Sequence, residues 1–485
     1  MTTAQEFERR RWTALVLLCL SQFIVVLDAS IVNVALPSIG KGLHFSQENL
    51  AWVVNAYVLT FGGFLLLGGR LADLLGRRRV FLAGLGVVAI ASLFAGFAST
   101  EGQLIAARAA QGLGAALISP AALSILMNTF RDGAERNKAL GAWGAVAGAG
   151  GAAGVLLGGI LTDSLGWEWV LWVNVPVAIV VAALTPRFIA ETRSQSQTRH
   201  FDTAGAVTVT AGLSLLVYAI VDAASAGWGS AQTIGLLAAS GALLATFVAI
   251  ERRSAAPLVP FRIFRLRTLT GANAVGLLVG GSLFSMFFFL TLYMQQVLGY
   301  SPIKTGLSYL PLAVTIMLSA GVASQMVTRI GFKPVLAAGL ALIAGALLWF
   351  STVPVDGSYV SDLLGPMVLA ATGLGFAFVT TTIAAVSGVR EQESGLASGL
   401  INTSQQIGGA LGLAVLATIA TSRTADLAGS GPPDPVALTE GFQSAFLGGA
   451  LVALLGLALT MVLIRTSDSR AHVELGGAAA GAEPA

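Results

Sequence analysis

Apolar runs of about twenty residues, each closed by a short polar or basic turn, follow one another fourteen times along this chain, and a helix of that length crosses roughly 30 Å of hydrocarbon. The runs cover 12–36, 48–69, 79–99, 103–127, 137–161, 167–186, 203–222, 231–251, 268–298, 304–328, 333–353, 360–386, 395–420 and 441–465. They predict an all-α integral membrane protein with fourteen transmembrane helices. The first run is longer than a signal-peptide core and meets no small-residue cleavage site, so it is expected to remain as a helix.

Charge decides orientation. Of the 27 Lys and Arg residues, all but Lys41, Arg108, Lys304 and Arg423 fall before helix 1 or after an even-numbered helix. The positive-inside rule then puts both termini in the cytoplasm, as an even helix count also requires. The net charge of +3 thus follows from topology and implies no nucleic-acid partner. The chain is 55% hydrophobic and 11% charged, too few charges to give so long a soluble protein a water-facing surface. Cys19 is the single cysteine, and His44, His200 and His472 lie in loops or the tail. No metal cluster, P-loop, cofactor site or catalytic triad is evident, which argues against an enzyme.

Displacing the sequence by 255 positions lays one basic turn on another: Gly76, Arg78, Val80, Ala83, Gly84 and Leu85 meet Gly331, Lys333, Val335, Ala338, Gly339 and Leu340. Helices 1–6 and 9–14 therefore read as two related six-helix bundles with helices 7 and 8 inserted, an arrangement suited to rocking about a site between the halves. The expected divisions are a cytoplasmic N-terminus (1–11), a first bundle (12–186), the inserted pair with its linkers (187–267), a second bundle (268–465) and a disordered cytoplasmic tail (466–485). Under the same displacement Asp28, Asp73 and Arg108 meet Leu283, Thr328 and Leu363. Ionisable machinery belongs to the first half.

Asp28 lies within helix 1, where a carboxylate costs about 2.5–3.5 kcal/mol on insertion scales and demands a compensating role. Loss of water disfavours its charged form and equips it to take up and release a proton; a purely structural role near the helix mouth is the alternative. Arg108, in helix 4, stays charged and must find partners in a polar interior, and Gln111 one turn on shares its face. The turn GGRLADLLGRRRV (68–80) carries Gly69, Asp73, Gly76, Arg77 and Arg78, a candidate latch for one conformation, while its arginines also suit anionic lipid. In helix 5, Gly144 and Gly148 are four apart, as are Gly150, Gly154 and Gly158, and they predict a groove for close helix approach. Phe284, Phe288 and Tyr293, with Asn33, Tyr57, Gln111, Asn402 and Gln405, combine adaptable apolar surface with a few orienting amides and are candidates to line a path for small lipophilic substrates.

These segments resemble the major facilitator superfamily, in particular its fourteen-helix drug:proton antiporter branch, over roughly residues 10–465. GGRLADLLGRRR (68–79) is similar to the superfamily's cytoplasmic-loop signature, LDASIVNVALP (27–37) to the branch's helix-1 signature and RAAQGLG (108–114) to its helix-4 signature. WEWVLWVNVP (167–176) and FDTAG (201–205) are also familiar there. The helix-5 pattern GxxxGPxxGG falls on Gly150, Gly154, Val155, Gly158 and Gly159, with Val155 in place of the proline. The resemblance implies a major facilitator fold in a bacterial cytoplasmic membrane that exports amphipathic drugs in exchange for protons, Asp28 and Arg108 taking part in coupling. A dedicated exporter of one natural product, such as an antibiotic, is the alternative. Some relatives that expel dications carry a further acid in the second half; its absence from those helices here predicts neutral or monocationic substrates. A monomer in contact with membrane lipid is expected.

Overall fold

The computed structural model describes residues 3–45, 50, 52–130, 133–192, 202–254, 257, 259–390, 393–428, 434–470 and 473, and every long element among them is a helix. In chain order these are α1 (Thr3–Gly42), α2 (Trp52–Leu75), α3 (Arg77–Gly96), α4 (Glu101–Thr129), α5 (Ala134–Ser164), α6 (Trp169–Phe188, interrupted at Val173), α7 (Thr203–Ala226), α8 (Ala231–Glu251), α9 (Arg267–Val297), α10 (Ile303–Ile330, bent at Tyr309), α11 (Phe332–Phe350), α12 (Tyr359–Val386), α13 (Ser394–Ala428) and α14 (Pro435–Leu463). Among the described residues twelve helices are long and apolar enough to cross a membrane, and α5 and α7 contribute the shorter apolar stretches Ala153–Ser164 and Ala204–Ile220.

Two bundles form, α1–α6 and α9–α14, and they meet along α2 against α13, α4 against α13, and α5 against α10 and α12. Between them in sequence, α7 packs on α2 and α13, across one seam between the bundles, and α8 packs on α7. The internal repeat has a backbone counterpart. Gly76, between α2 and α3, has φ 110°, and Gly331, between α10 and α11, has φ 84°. Both turns need a left-handed residue, which glycine adopts without a steric penalty.

Close helix approach is built from small residues at named crossings. Pro120 inside α4 has no N–H to offer the carbonyl of Ala116, four residues earlier. That carbonyl lies against Gly68 of α2, where any Cβ would overlap it. One turn towards the other end, Gly112 lies against the carbonyl of Tyr57 and the hydroxyl of Thr60, and Thr60 Oγ1 donates to Ala109 O at 2.8 Å. The α2–α4 crossing is tight enough to bring Tyr57 over Arg108.

The tail departs from expectation at its start. Residues 466–470 are helical, and Ser469 Oγ accepts from Lys333 N at 3.1 Å, satisfying a donor at the start of α11 that lacks a partner within its own helix. The Gly/Ala-rich remainder, 474–485, lies outside the described residues, as do His200, Phe201 and His472. Asp362, inside the expected 360–386 span, lies within α12, and Glu440, one residue before the expected 441–465 span, lies within α14, so against expectation the second-half helices do carry acids. Both are half-buried: Asp362 accepts from Ser358 N at 2.7 Å and Glu440 pairs with Arg423 at 2.6 Å.

Candidate functional site

Five helices of the first bundle converge on Asp28. Its Oδ2 accepts from Arg108 Nη1 at 2.7 Å, and its Oδ1 accepts from Asn174 Nδ2 at 2.7 Å and Gln111 Nε2 at 3.1 Å. Arg108 also donates from Nε to Val53 O at 2.9 Å and from Nη1 to Gln111 Oε1 at 2.9 Å. Gln111 Nε2 donates in addition to Ser92 Oγ at 2.7 Å. The guanidinium stacks over the Tyr57 ring, 4.5 Å from its centroid, and Tyr57 in turn donates its hydroxyl to Val25 O at 2.9 Å.

Asp28 is 2% exposed, and Arg108, Gln111, Asn174 and Ser92 are fully enclosed. An ion pair in such surroundings is held only because each charge is hydrogen-bonded on several sides. Spacing along α4 explains the pairing: Arg108 and Gln111 are three residues apart and face the same way. The carboxylate therefore has one full counter-charge and two amide donors, an arrangement whose charge balance a single proton on Asp28 would change.

A second cluster closes the basic end of the bundles. Asp73, near the end of α2, accepts from Arg77 Nη2 at 3.2 Å on one oxygen and from Leu396 N, in the first turn of α13, at 3.2 Å on the other. The first contact is internal to the turn; the second crosses between bundles. Gly399 of α13 lies within ordinary contact of Gly69 and near the Leu65 carbonyl. Glu191, after α6, accepts from Arg78 N at 3.2 Å and draws Arg79 Nε to 3.7 Å. Thr328, which meets Asp73 under the 255-residue displacement, has a matching contact. It accepts from Asn137 Nδ2 at 3.0 Å, in the first turn of α5. Each bundle thus places one polar residue against the start of a helix of the other.

The glycines of α5 serve two neighbours. Gly150, Gly154 and Gly158 lie against α1, where added methyl groups would meet Val26, overlap Ser30 Oγ, and crowd Ile31 O respectively. Gly144 lies against Val379 of α12 in the other bundle. The surroundings of Gly148 lie outside the described residues.

The residues expected to line a substrate path divide by burial. Asn33, Phe284 and Phe288 are exposed, the two rings at 38% and 42%. Asn402 of α13 is half-buried and accepts from Ser119 Oγ across the bundle interface at 3.3 Å. Tyr57 and Gln111 belong instead to the Asp28 cluster. Tyr293 is fully buried and anchored to Pro354 O by its hydroxyl, because the end of α9 packs under the loop after α11; it offers no open surface. Gln405 is 6% exposed, and its Nε2 has no hydrogen-bond partner among the described residues.

The sequence profile of the Major Facilitator Superfamily matches residues 18–413, which include the whole Asp28 cluster and both bundle-crossing contacts. The chain belongs to the major facilitator superfamily. It is 44% identical over 93% of its length to the cephamycin export protein CmcT of Amycolatopsis lactamdurans, of which the match covers 92%. The puromycin resistance protein of Streptomyces alboniger is 38% identical, the match covering 94% of this chain and 90% of that protein. The tetracenomycin C resistance and export protein of Streptomyces glaucescens is 34% identical over 88% of this chain and 79% of its own. Among solved structures, the human organic anion transporter MFSD10 superposes with a TM-score of 0.66 at 16% identity, covering 93% of this chain and 99% of that one. The proton:xylose symporter XylE gives 0.67 at 12% identity, covering 94% and 96%. These two establish the fold.

Within this major facilitator protein, three participants carry no name in the sequence-based site. Asn174 is an amide inside an apolar span, a signal available in WVNVP (172–176) but not assigned to Asp28. Glu191 sits in a linker and gives no motif of its own. Asn137 is an ordinary polar residue at a helix start until Thr328 is found opposite it.

Proposed function

We propose that this protein exports lipophilic and amphipathic small molecules across a bacterial cytoplasmic membrane by alternating access, driven by proton uptake at Asp28. The observation that carries the coupling is the enclosure of a carboxylate among spanning helices with Arg108 as its only full counter-charge. Protonation would remove the charge that holds Arg108, weakening the tie between α1 and α4; deprotonation would restore it. Asn33, Phe284, Phe288 and Asn402 are assigned to the substrate path, and the Asp73 contact to closure of the cytoplasmic side. Fourteen spanning helices, cytoplasmic termini and a monomeric working unit complete the reading, with α7 and α8 inserted between the bundles.

The energetics suffice. One charge moving through 100 mV releases about 2.3 kcal/mol, enough to sustain a roughly 50-fold gradient of a neutral substrate. Two relatives bear the names of single-antibiotic exporters, for cephamycin and for tetracenomycin C, which favours a second reading: a dedicated exporter of one natural product.

Ethidium efflux from cells producing wild type or Asp28→Asn, with and without a protonophore, tests the coupling. Wild-type efflux should collapse with the uncoupler, and the variant should resemble the uncoupled wild type. Equal pumping by the variant together with indifference to the uncoupler would remove Asp28 from the mechanism. Competition by unrelated compounds in everted vesicles separates broad from dedicated export.

A further inference from the structure

Buried hydroxyls on helices ordinarily donate back to a carbonyl one turn earlier, and Thr185, Thr382, Thr439 and Thr460 all do so here. Thr380 and Thr381, immediately before Thr382 in α12, do not. Both are fully buried and neither hydroxyl has a partner among the described residues. Thr403 Oγ1 and Gln405 Nε2 of α13 share that condition at 6% exposure. Two of these groups meet at one place. Around Gly276 of α9, a Cβ would lie 3.4 Å from Thr381 Cγ2 and 3.6 Å from Gln405 Cγ, beside Ile401. Three helices of the second bundle thus bring the Thr381 and Gln405 side chains to either side of one point, with neither polar group bonded to the other.

A buried donor without an acceptor costs roughly 1–3 kcal/mol, and folded proteins rarely retain several without a use. Neighbouring polar groups are matched to one another: Ser404 donates to Asn273 at 3.0 Å and Ser119 to Asn402 at 3.3 Å. Gln405 and Thr381 are left over from that pairing. Gln405 lies on the helix whose first turn holds the cytoplasmic closure, since Leu396 bonded to Asp73 precedes it on α13 by about 14 Å at the α-helical rise, and Thr381 faces it from α12.

We infer that Gln405 and Thr381 form a substrate subsite in the second bundle, donating hydrogen bonds to a neutral acceptor oxygen, a carbonyl or ether, when the cytoplasmic side opens. The subsite rests on the export reading and gives it a substrate chemistry: charge is handled in the first bundle at Asp28, acceptor oxygens in the second. Water-filled opening satisfies the donors before loading, and the ligand oxygen replaces that water.

The test is efflux by the full-length protein in a host lacking its own pumps, with three probes: tetracenomycin C and chloramphenicol, neutral and rich in acceptor oxygens, and ethidium, a cation without oxygen. Gln405→Leu combined with Thr381→Val should weaken export of an oxygen-bearing probe about tenfold and leave ethidium within about twofold. Gln405→Glu, which replaces the amide donor with a carboxylate acceptor, should also lose the neutral probes while keeping ethidium. Thr382→Val, beside the subsite but bonded to its own helix, should leave all three unchanged. Membrane abundance and size-exclusion profiles of each variant establish that it folds. Equal losses for every probe, or no loss for any, overturn the subsite. A wild type that exports ethidium but neither oxygen-bearing probe overturns it too, with export intact, whereas a wild type that exports no probe removes the broad-export reading and the subsite with it.

Discussion

Asp28 and Arg108 are worth more as a pair than either is alone, and substitution separates the two cases. Arg108→Leu leaves a carboxylate enclosed with only Asn174 and Gln111 as donors, and loss of one member of a buried pair costs about 3–5 kcal/mol. Replacing both with leucine removes the desolvated charges together and should recover much of that loss. The check is thermal unfolding of purified protein in detergent: the single variant should melt well below wild type and the double variant between them, while both are inactive in proton-driven efflux. A double variant less stable than the single one would mean that the cluster stabilises the fold beyond its charges. Asn174→Leu should fall in the milder range of about 1–3 kcal/mol expected for one lost donor to a charged group.

At this scale the sequence was informative about charge and poor about amides. An intramembrane Asp and Arg stand out against an apolar background, and their types alone require partners. Asn174 and Asn137 stand out less, because an amide inside or beside a span is compatible with many contacts. Tyr57 and Tyr293 show the converse: aromatic rings look alike in sequence whether they face an open path, cover a guanidinium or pack beneath a loop.

Among the elements, hydropathy located the apolar part of each long helix and missed what extends beyond it. The first span, expected at 12–36, belongs to a helix running Thr3–Gly42, and the thirteenth, expected at 395–420, to one running Ser394–Ala428. The extensions are polar enough to escape a hydropathy reading, yet backbone hydrogen bonding continues through them. Glycine spacing foretold close packing in α5, but spacing alone does not name the neighbour on each face. The structure gives Gly154 to α1, with Ser30 Oγ where a methyl would go, and leaves Gly151 with nothing within 4 Å. Gly154→Val should therefore force α1 and α5 apart and sharply reduce efflux, while Gly151→Ala should transport as wild type. Dye efflux normalised to membrane abundance measures both, and equal activity of the two variants would show that the α1–α5 approach is dispensable.

Across the whole molecule, the repeat explains why the basic end closes twice. Asp73 reaches the start of α13 and Thr328 the start of α5, from positions 255 residues apart in equivalent turns. The contacts are unequal in chemistry: a carboxylate accepting a backbone N–H at one seam, a hydroxyl accepting an amide N–H at the other. A charged acceptor makes the stronger hydrogen bond, so the Asp73 side should dominate the closed state. Asp73→Leu removes the acceptor for Leu396 N, and a bond to a charged group contributes about 1.5–3 kcal/mol, enough to shift an open–closed equilibrium tenfold or more. Asn137→Ala should shift it less, in the range of about 0.5–1.5 kcal/mol for a neutral bond. A cysteine at Asn402, behind the closure on α13, reports the difference once Cys19 is replaced by serine. Labelling by a charged maleimide from the cytoplasmic face should quicken in the order wild type, Asn137→Ala, Asp73→Leu. The reverse order would make the neutral seam the principal closure, and identical rates would mean that neither contact holds the cytoplasmic side.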